Sequence, residues 1–183
     1  LCTMLLADMG ADVIKVEPPT GDIGRTLGPP FLGDTSAVYL ALNRNKRGVV
    51  IDLKTQRGRR QAHKLIEGAD ILVESFRPGV AARLGIGFDD ARKLSPRLVY
   101  CSVSAYGQSG PWSGKPGVDG VLQAVTGLMS ITGNAGDPSK VQAPLVDMVS
   151  GYHATIAILA GIRNRDHLTR PIDVSLFAGS LML

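Results

Sequence analysis

Residues 48–53 (GVVIDL) form a run of strand length that is rich in β-branched side chains, and the polar residues 55–67 after them have the composition of a helix. A second apolar run of strand length follows at residues 71–74 (ILVE). A strand, a helix and a second strand in this order are typical of a parallel strand pair joined by a crossover helix. This β–α–β segment therefore predicts an α/β fold.

The same alternation extends in both directions from this segment. Three more strands are predicted, at residues 12–17 (DVIKVE), 97–103 (RLVYCSV) and 171–177 (PIDVSLF). Further helices are expected at residues 36–42, 118–129 and 148–165. One face of the last helix carries the large apolar residues Tyr152, Ile156, Leu159 and Ile162. We therefore predict a mostly parallel sheet with crossover helices.

Both ends of the chain have the composition of interior elements. The first residues already show helical spacing with no strand before them, and residues 181–183 (LML) are apolar. A complete domain seldom leaves such an edge without a partner. We therefore expect residues 1–183 to form one domain that is incomplete at both ends.

The composition indicates a folded protein with a small positive charge. Of 183 residues, 20 are Lys or Arg and 16 are Asp or Glu, giving a net charge of +4, and 44% are hydrophobic. We expect no membrane contact, because the longest uncharged apolar run, residues 155–162, is short, and no secretory signal is recognised. The two cysteines, Cys2 and Cys101, are far apart, which predicts free thiols in the cytoplasm and no metal site.

The chain lacks the usual signatures of nucleotide and nucleic-acid binding. Residues 85–90 (GIGFDD) begin like a dinucleotide fingerprint but lack its third glycine, and residues 110–115 (GPWSGK) are too short for a phosphate loop. One Trp, four Tyr and four Phe are available for base stacking, without an interleaved basic stripe. These features argue against a nucleic-acid partner.

One acidic residue stands at the start of the long apolar helix. Asp147 precedes the predicted residues 148–165, so its simplest interpretation is an N-cap that accepts the N–H groups of the first helical turn. The same position also suits a nucleophile, because the positive helix end holds a carboxylate ionised and an ionised carboxylate can attack a carbonyl carbon. Asp119 opens another predicted helix, and capping of that helix is its simplest role.

Cations follow two of the predicted strands. Lys46 and Arg47 precede the run at residues 48–53, Lys54 follows it, and Arg77 comes after residues 71–74. Ligands of parallel α/β sheets bind at the carboxyl ends of the strands. Lys54 and Arg77 are therefore candidate phosphate contacts, with solvated surface charge as the alternative.

Six blocks of sequence, in order, resemble the class III CoA-transferase family, which includes formyl-CoA and carnitine CoA-transferases and α-methylacyl-CoA racemase. The resemblance covers nearly the whole chain. The blocks are residues 5–17 (LLADMGADVIKVE), 43–53 (NRNKRGVVIDL), 69–79 (ADILVESFRPG), 103–111 (VSAYGQSGP), 116–123, and the pair Asp147 and Gly151.

The resemblance implies a transferase that moves CoA from an acyl-CoA thioester to a carboxylic acid. Asp147 would be the catalytic carboxylate, forming first a mixed anhydride and then an aspartyl-CoA thioester. Coenzyme A would be the bound cofactor, as part of the acyl-CoA substrate, with no metal. The implied CoA contacts are Ile51, Asp52, Leu53, Lys54, Ser75, Phe76, Arg77, Arg83, Pro116, Gly117, Val118 and Asp119.

The resemblance also carries expectations about architecture. Residues 1–183 would be part of a Rossmann-like, CoA-binding large domain, with the linker and small domain outside this sequence. The full-length protein would form an interlocked homodimer and act on small-molecule acyl-CoA and carboxylic acid substrates. A further hypothesis is that these residues alone bind CoA without turnover.

Three positions depart from the family pattern. Many members have Asn where this chain has Ser75, and Pro18 cannot supply the basic phosphate contact that some members have after the equivalent of Glu17. In the racemase, a His before the helix-opening Asp transfers protons at the substrate α-carbon, whereas Val118 stands there in this chain. This difference favours the transferase over the alternative, an α-methylacyl-CoA racemase or isomerase.

Overall fold

The computed structural model describes residues 1–183, which divide into two compact units, residues 1–65 and 66–183. The first unit contains a parallel strand pair and a small hairpin. Its elements, in order, are α1 (Cys2–Asp8), β1 (Val13–Glu17), a 3₁₀ turn (Ile23–Thr26), β2 (Phe31–Leu32), β3 (Thr35–Ser36), α2 (Ala37–Asn43), β4 (Lys46–Val50) and α3 (Gln56–Glu67), whose last two residues belong to the second unit.

Strands β1 and β4 run parallel, with Val13 opposite Lys46 and Glu17 opposite Val50. The connection between the two strands contains the 3₁₀ turn, the β2–β3 segment and α2, since parallel strands need a crossover connection. Strands β2 and β3 form a separate antiparallel hairpin.

A buried carboxylate fixes the end of β1 in the first unit. Glu17 is 5% exposed, and its two oxygens accept hydrogen bonds from Arg25 Nε (2.9 Å) and Nη2 (3.0 Å), from the Asp22 N–H (3.1 Å) and from the Tyr39 hydroxyl. The Arg25 hydrogen bond, opposed by burial and helped by Tyr39, lowers the pKa of Glu17 to about 2. This glutamate therefore connects β1, the loop after it and α2.

The second unit is built on a three-stranded parallel sheet with the strand order β5–β6–β7. Strand β6 lies in the middle, and its residues Val99, Tyr100, Cys101 and Ser102 are all buried. The elements are β5 (Ile71–Glu74), α4 (Val80–Arg83), α5 (Phe88–Leu94), β6 (Val99–Ser104), α6 (Asp119–Val125), α7 (Leu128–Ile131), α8 (Leu145–Arg163), a 3₁₀ turn (Arg165–His167), β7 (Ile172–Ser175) and α9 (Leu176–Ser180).

Helix α8 packs against β6, β7 and α9, and its buried residues are mostly small, together with Val146 and Ile158. A side chain at Gly161 would stand 3.0 Å from Ile172 Cδ1 and 3.1 Å from Val99 Cγ1, so the helix axis comes close to the sheet there. The large residues Tyr152, Ile156 and Leu159 lie on the exposed face instead.

With 19 residues and a mean hydropathy of 1.5, α8 is also long and apolar enough to cross a membrane, a test that core helices pass as well.

The structure confirms the predicted α/β fold, with parallel sheets. The parallel strands form two sheets, one in each unit, and the hairpin adds a third, antiparallel one. Strand β4 begins and ends earlier than the strand predicted at residues 48–53, because its five residues pair one to one with those of β1. Lys46 and Arg47 therefore lie inside β4 rather than before it, and Ile51 lies after it.

Several helix predictions were wrong in extent. The helix predicted at residues 118–129 is interrupted because Gly127 adopts a φ of 85°, which ends α6 and separates it from α7. The last predicted strand stops at Ser175, whose hydroxyl accepts the Ala178 N–H (3.2 Å) and caps α9. Helix α5 was not predicted, although its first turn is acidic and its last turn basic.

Candidate active site

Asp147 lies inside α8 rather than before it. The helix begins at Leu145 with Pro144 as its N-cap residue, so Asp147 is the third helical residue. The prediction that Asp147 is the N-cap was therefore wrong, because the extended stretch before the helix already ends at the proline. The Asp147 side chain remains exposed at the surface of the second unit.

A different aspartate caps α8. Asp119, the first residue of α6, is 7% exposed, and its Oδ2 accepts the N–H groups of Val146 (2.8 Å) and Asp147 (3.3 Å). We expected Asp119 to cap its own helix, but α6 has no side-chain cap, because this carboxylate points to the first turn of α8 instead. The structure thus brings two of the predicted site residues into direct contact.

The second oxygen of Asp119 is held by a buried glutamine. Gln123 Nε2 donates to Asp119 Oδ1 (2.5 Å) and to the Val141 carbonyl (3.2 Å), while Gln123 Oε1 accepts the Val141 N–H (2.9 Å). Gln123 is fully buried; two of its three hydrogen bonds use both hydrogens of the amide nitrogen, and the third is accepted by the amide oxygen. We call Asp119, Gln123 and the backbone groups of Val141, Val146 and Asp147 the capping network.

The electrostatic environment of Asp147 differs from the expected one. Its surface is accessible, but partial loss of hydration among the surrounding protein atoms raises the pKa of the Asp147 carboxyl, and the negative charge of Asp119 raises this pKa further. We expected the helix end to favour the ionised form. The positive N–H groups of that end are instead taken up by Asp119, so they stabilise Asp147 less.

The predicted contacts Ser75, Phe76 and Arg77 form the exposed loop after β5. The Phe76 N–H donates to Glu74 Oε2 (2.8 Å), and Glu74 is buried with its other oxygen accepting the Ser102 hydroxyl (2.5 Å). This glutamate anchors the loop at the carboxyl edge of the sheet. The loop backbone is therefore fixed while the Arg77 side chain faces solvent.

The remaining predicted contacts of the second unit lie at two helix ends. Arg83 is the exposed last residue of α4. Pro116 and Val118 are exposed at the start of α6, and a side chain at Gly117 would approach Ala105 Cβ and Leu122 Cδ2 to 2.7 Å. Only glycine fits this close approach, so the chain enters α6 along one defined path.

The first unit contains the other predicted contacts, residues 51–54. Ile51 is buried, and its N–H donates to the Glu17 carbonyl (2.9 Å) at the end of the strand pair. Asp52 Oδ1 accepts the Lys54 N–H (3.0 Å), which forms a tight turn before α3. The Lys54 side chain is exposed at this turn, four residues after β4 ends.

Two buried polar residues next to the predicted contacts were not among the predicted site residues. Gln123 and Glu74 are buried polar residues that each organise a loop next to a predicted contact. The signal for Gln123 was a single long polar side chain among the apolar residues of α6. Such a residue is buried only with its hydrogen bonds satisfied.

The sequence model of CoA-transferase family III matches this chain over residues 1–183. The chain belongs to this family. The resemblance seen in the sequence is thereby confirmed.

Related family III proteins agree with this assignment. Succinyl-CoA:glutarate CoA-transferase of Homo sapiens is 43% identical over 162 residues, covering 87% of this chain and 37% of its own length. Acetyl-CoA:oxalate CoA-transferase of Acetobacter aceti is 39% identical over 184 residues, covering 98% of this chain and 47% of its own.

The fold is also that of a solved family III structure. The crystal structure of a CAIB/BAIF family protein from Brucella suis has a TM-score of 0.92 and 34% identity to this chain, covering 98% of it and 50% of the Brucella chain. The chain therefore spans about half the length, or less, of the relatives it matches.

Proposed function

We propose that the full-length protein is a CoA-transferase that moves CoA from an acyl-CoA thioester to a carboxylic acid through a covalent intermediate on Asp147. The observation that supports this most is the state of the Asp147 carboxylate. It is exposed in the first turn of α8, and the N–H groups that it would otherwise accept are bonded to Asp119. A carboxylate without such bonds is available to attack a thioester carbonyl.

The proposed reaction consists of four acyl transfers. Asp147 attacks the acyl carbon of the thioester, which expels CoA thiolate and leaves a mixed anhydride. The thiolate then attacks the aspartyl carbonyl, releasing the first carboxylate and forming an aspartyl-CoA thioester. The acceptor carboxylate attacks this thioester to give a second anhydride, and CoA thiolate finally attacks its acyl carbon. Asp147 is regenerated, and one difficult exchange is divided into easier steps.

We propose a short dicarboxylic acid as one of the substrates. The relatives are named for succinyl-CoA with glutarate and for acetyl-CoA with oxalate. We further propose that residues 1–183 are part of the CoA-binding large domain and that the full-length chain is a homodimer in the cytoplasm. The absence of a metal remains a prediction from the sequence.

The proposed CoA site uses the loops at the strand ends. In the second unit, Arg77 and Arg83 present exposed guanidinium groups that suit the phosphates of CoA. Residues 116–118 offer backbone and side-chain contact at the start of α6. Both Asp119 oxygens are already bonded, so this residue would contribute only through its backbone. The contacts predicted at residues 51–54 belong to the first unit and remain a prediction from the family resemblance.

Arg77→Ala is expected to weaken acyl-CoA binding. Loss of a charge-assisted contact to a phosphate should raise KM for the acyl-CoA about 10- to 100-fold, with kcat changed less than about threefold. The measurement is steady-state kinetics of the full-length enzyme with succinyl-CoA and glutarate. Arg163→Ala, at the exposed end of α8, is the matched control and should leave KM unchanged. An unchanged KM in Arg77→Ala would remove this residue from the CoA site.

Covalent trapping tests the proposed function directly. Full-length wild type and Asp147→Ala are incubated with succinyl-CoA and quenched, and the intact mass of each is recorded. We expect a CoA-sized or acyl-sized adduct on wild type that maps to Asp147 and is absent from the variant. If wild type forms no adduct but exchanges hydrogen for deuterium at the α-carbon of a 2-methylacyl-CoA, the protein is a racemase and the proposal is wrong.

A further inference from the structure

We propose that Asp119 is a positioning residue for Asp147, because its carboxylate takes over the capping of α8 and so frees the Asp147 carboxylate for the substrate. The inference rests on the proposed function, in which Asp147 is the nucleophile. It gives Asp119 a role other than the CoA contact that the family resemblance implied.

The first turn of α8 has three N–H groups without an intrahelical partner, because the N-cap residue is a proline, and all three of them are bonded. The Leu145 N–H donates to the Ala143 carbonyl (2.8 Å), and the Met148 N–H makes the first regular helical bond, to the Pro144 carbonyl (2.9 Å). The Val146 and Asp147 N–H groups donate to Asp119 Oδ2. No donor of this turn is therefore left for the Asp147 carboxylate.

The N-cap residue removes the remaining local partner. An acidic residue at the third helical position commonly reaches back to the N–H of the N-cap residue. In α8 the N-cap is Pro144, which has no N–H. The sequence Pro-Leu-Val-Asp therefore leaves the nucleophile without a backbone donor on its own helix, while Asp119 fixes its backbone from α6.

Gln123 makes the position of Asp119 specific. Its side-chain amide pairs with both backbone groups of Val141, which sets the direction of its Nε2. The second hydrogen of that nitrogen points to Asp119 Oδ1. Lys140 borders the network, since its Nζ donates to the same Val141 carbonyl (3.2 Å). Asp119 itself forms no ion pair and is held by N–H groups alone.

Asp119→Asn disturbs the hydrogen bonds of Asp119 to α8 and to Gln123 with little change in side-chain shape. Both carboxylate oxygens of Asp119 accept hydrogen bonds, whereas an asparagine has one oxygen and one NH₂ group. In either orientation the NH₂ meets another donor, which is Gln123 Nε2 on one side and the α8 N–H groups on the other. A Gln123 flip to relieve the clash would break both bonds to Val141.

The test combines kinetics and hydrogen exchange on the full-length enzyme, with succinyl-CoA and glutarate as substrates. For Asp119→Asn we expect kcat to fall about 30- to 100-fold, with KM for succinyl-CoA within about threefold of wild type. The acid limb of the kcat profile should move to lower pH, since a negative charge beside Asp147 is removed. Thr126→Val, which loses a partly buried hydrogen bond to Ser180 at the other end of α6, is the matched control and should leave that limb in place.

Hydrogen exchange of wild type keeps the proposal testable if Asp119→Asn does not fold. First-turn N–H groups of a helix normally exchange fast, but those of Val146 and Asp147 should exchange at least about 100-fold more slowly than unprotected ones. Unprotected exchange at both would overturn the proposal.

The positioning role of Asp119 would also be overturned if folded Asp119→Asn kept the wild-type kcat, or if the acid limb of its pH profile did not shift. Either result would leave the proposed function intact. Absence of any wild-type adduct on Asp147 would instead defeat the proposed function. The two failures are therefore distinguishable.

Discussion

Asp147→Asn is expected to lower kcat of the full-length enzyme by about 10⁴-fold or more with succinyl-CoA and glutarate. The amide has nearly the shape of the carboxylate but cannot form an anhydride with an acyl group. The binding of CoA should change little, because Asp147 lies in α8, outside the loops that we propose as phosphate contacts. Initial rates and the dissociation constant for CoA are the two measurements.

The matched control for this variant is Asp166→Asn. Asp166 is an exposed aspartate of the same unit, paired with Arg97 and located beyond the end of α8. Helix α8 has 19 residues, which place that end about 28 Å from the start at 1.5 Å per residue. Activity of the control should equal wild type. A residual rate in Asp147→Asn within tenfold of wild type would contradict a nucleophilic role for Asp147.

Glu17→Gln is expected to destabilise the first unit by about 3 kcal/mol at pH 7. The variant keeps the shape but leaves Arg25 without its buried negative partner. The pKa of Glu17 lies at about 2, below its ordinary value of 4.5. The stabilisation by its charge is therefore complete above pH 4.5 and is lost as the pH falls through about 2.

Native-state hydrogen exchange of β1 measures this effect. The difference in opening free energy between wild type and Glu17→Gln should shrink to about half or less near pH 3. Glu67→Gln, an exposed glutamate at the end of α3, is the control and should change the opening free energy of β1 by less than about 0.5 kcal/mol. An equal difference at pH 7 and pH 3 would show that the charge of Glu17 is not the cause.

The strands of the two parallel sheets could be predicted from the sequence because each is a short apolar run, whereas the two-residue strands β2 and β3 were not predicted. Val13–Glu17, Ile71–Glu74 and Val99–Ser104 were found within one or two residues. Helix boundaries were less predictable, since they depend on backbone conformation. The φ of Gly127, for example, divides one expected helix into two.

The candidate site was only partly predictable for a related reason. Asp147 was predicted as a site residue from the family resemblance, but the capping of α8 could not be assigned, because the acceptor Asp119 lies 27 residues before the first donor, Val146. Local rules assign a cap to the aspartate nearest the helix start. The buried face of α8 was also unpredictable, because most of its buried residues are small while the large residues Tyr152, Ile156 and Leu159 are exposed.

The two hydrogen bonds between Gln123 and the Val141 backbone hold the chain in place between the exposed loop and the start of α8. The exposed residues 133–139 can change length or sequence at small entropic cost, as surface loops generally do. The backbone shifts caused by such a change should not extend beyond Val141, because its N–H and carbonyl are hydrogen-bonded to Gln123 of α6. Natural variation and loop grafting could thus reshape this part of the surface without displacing Asp147.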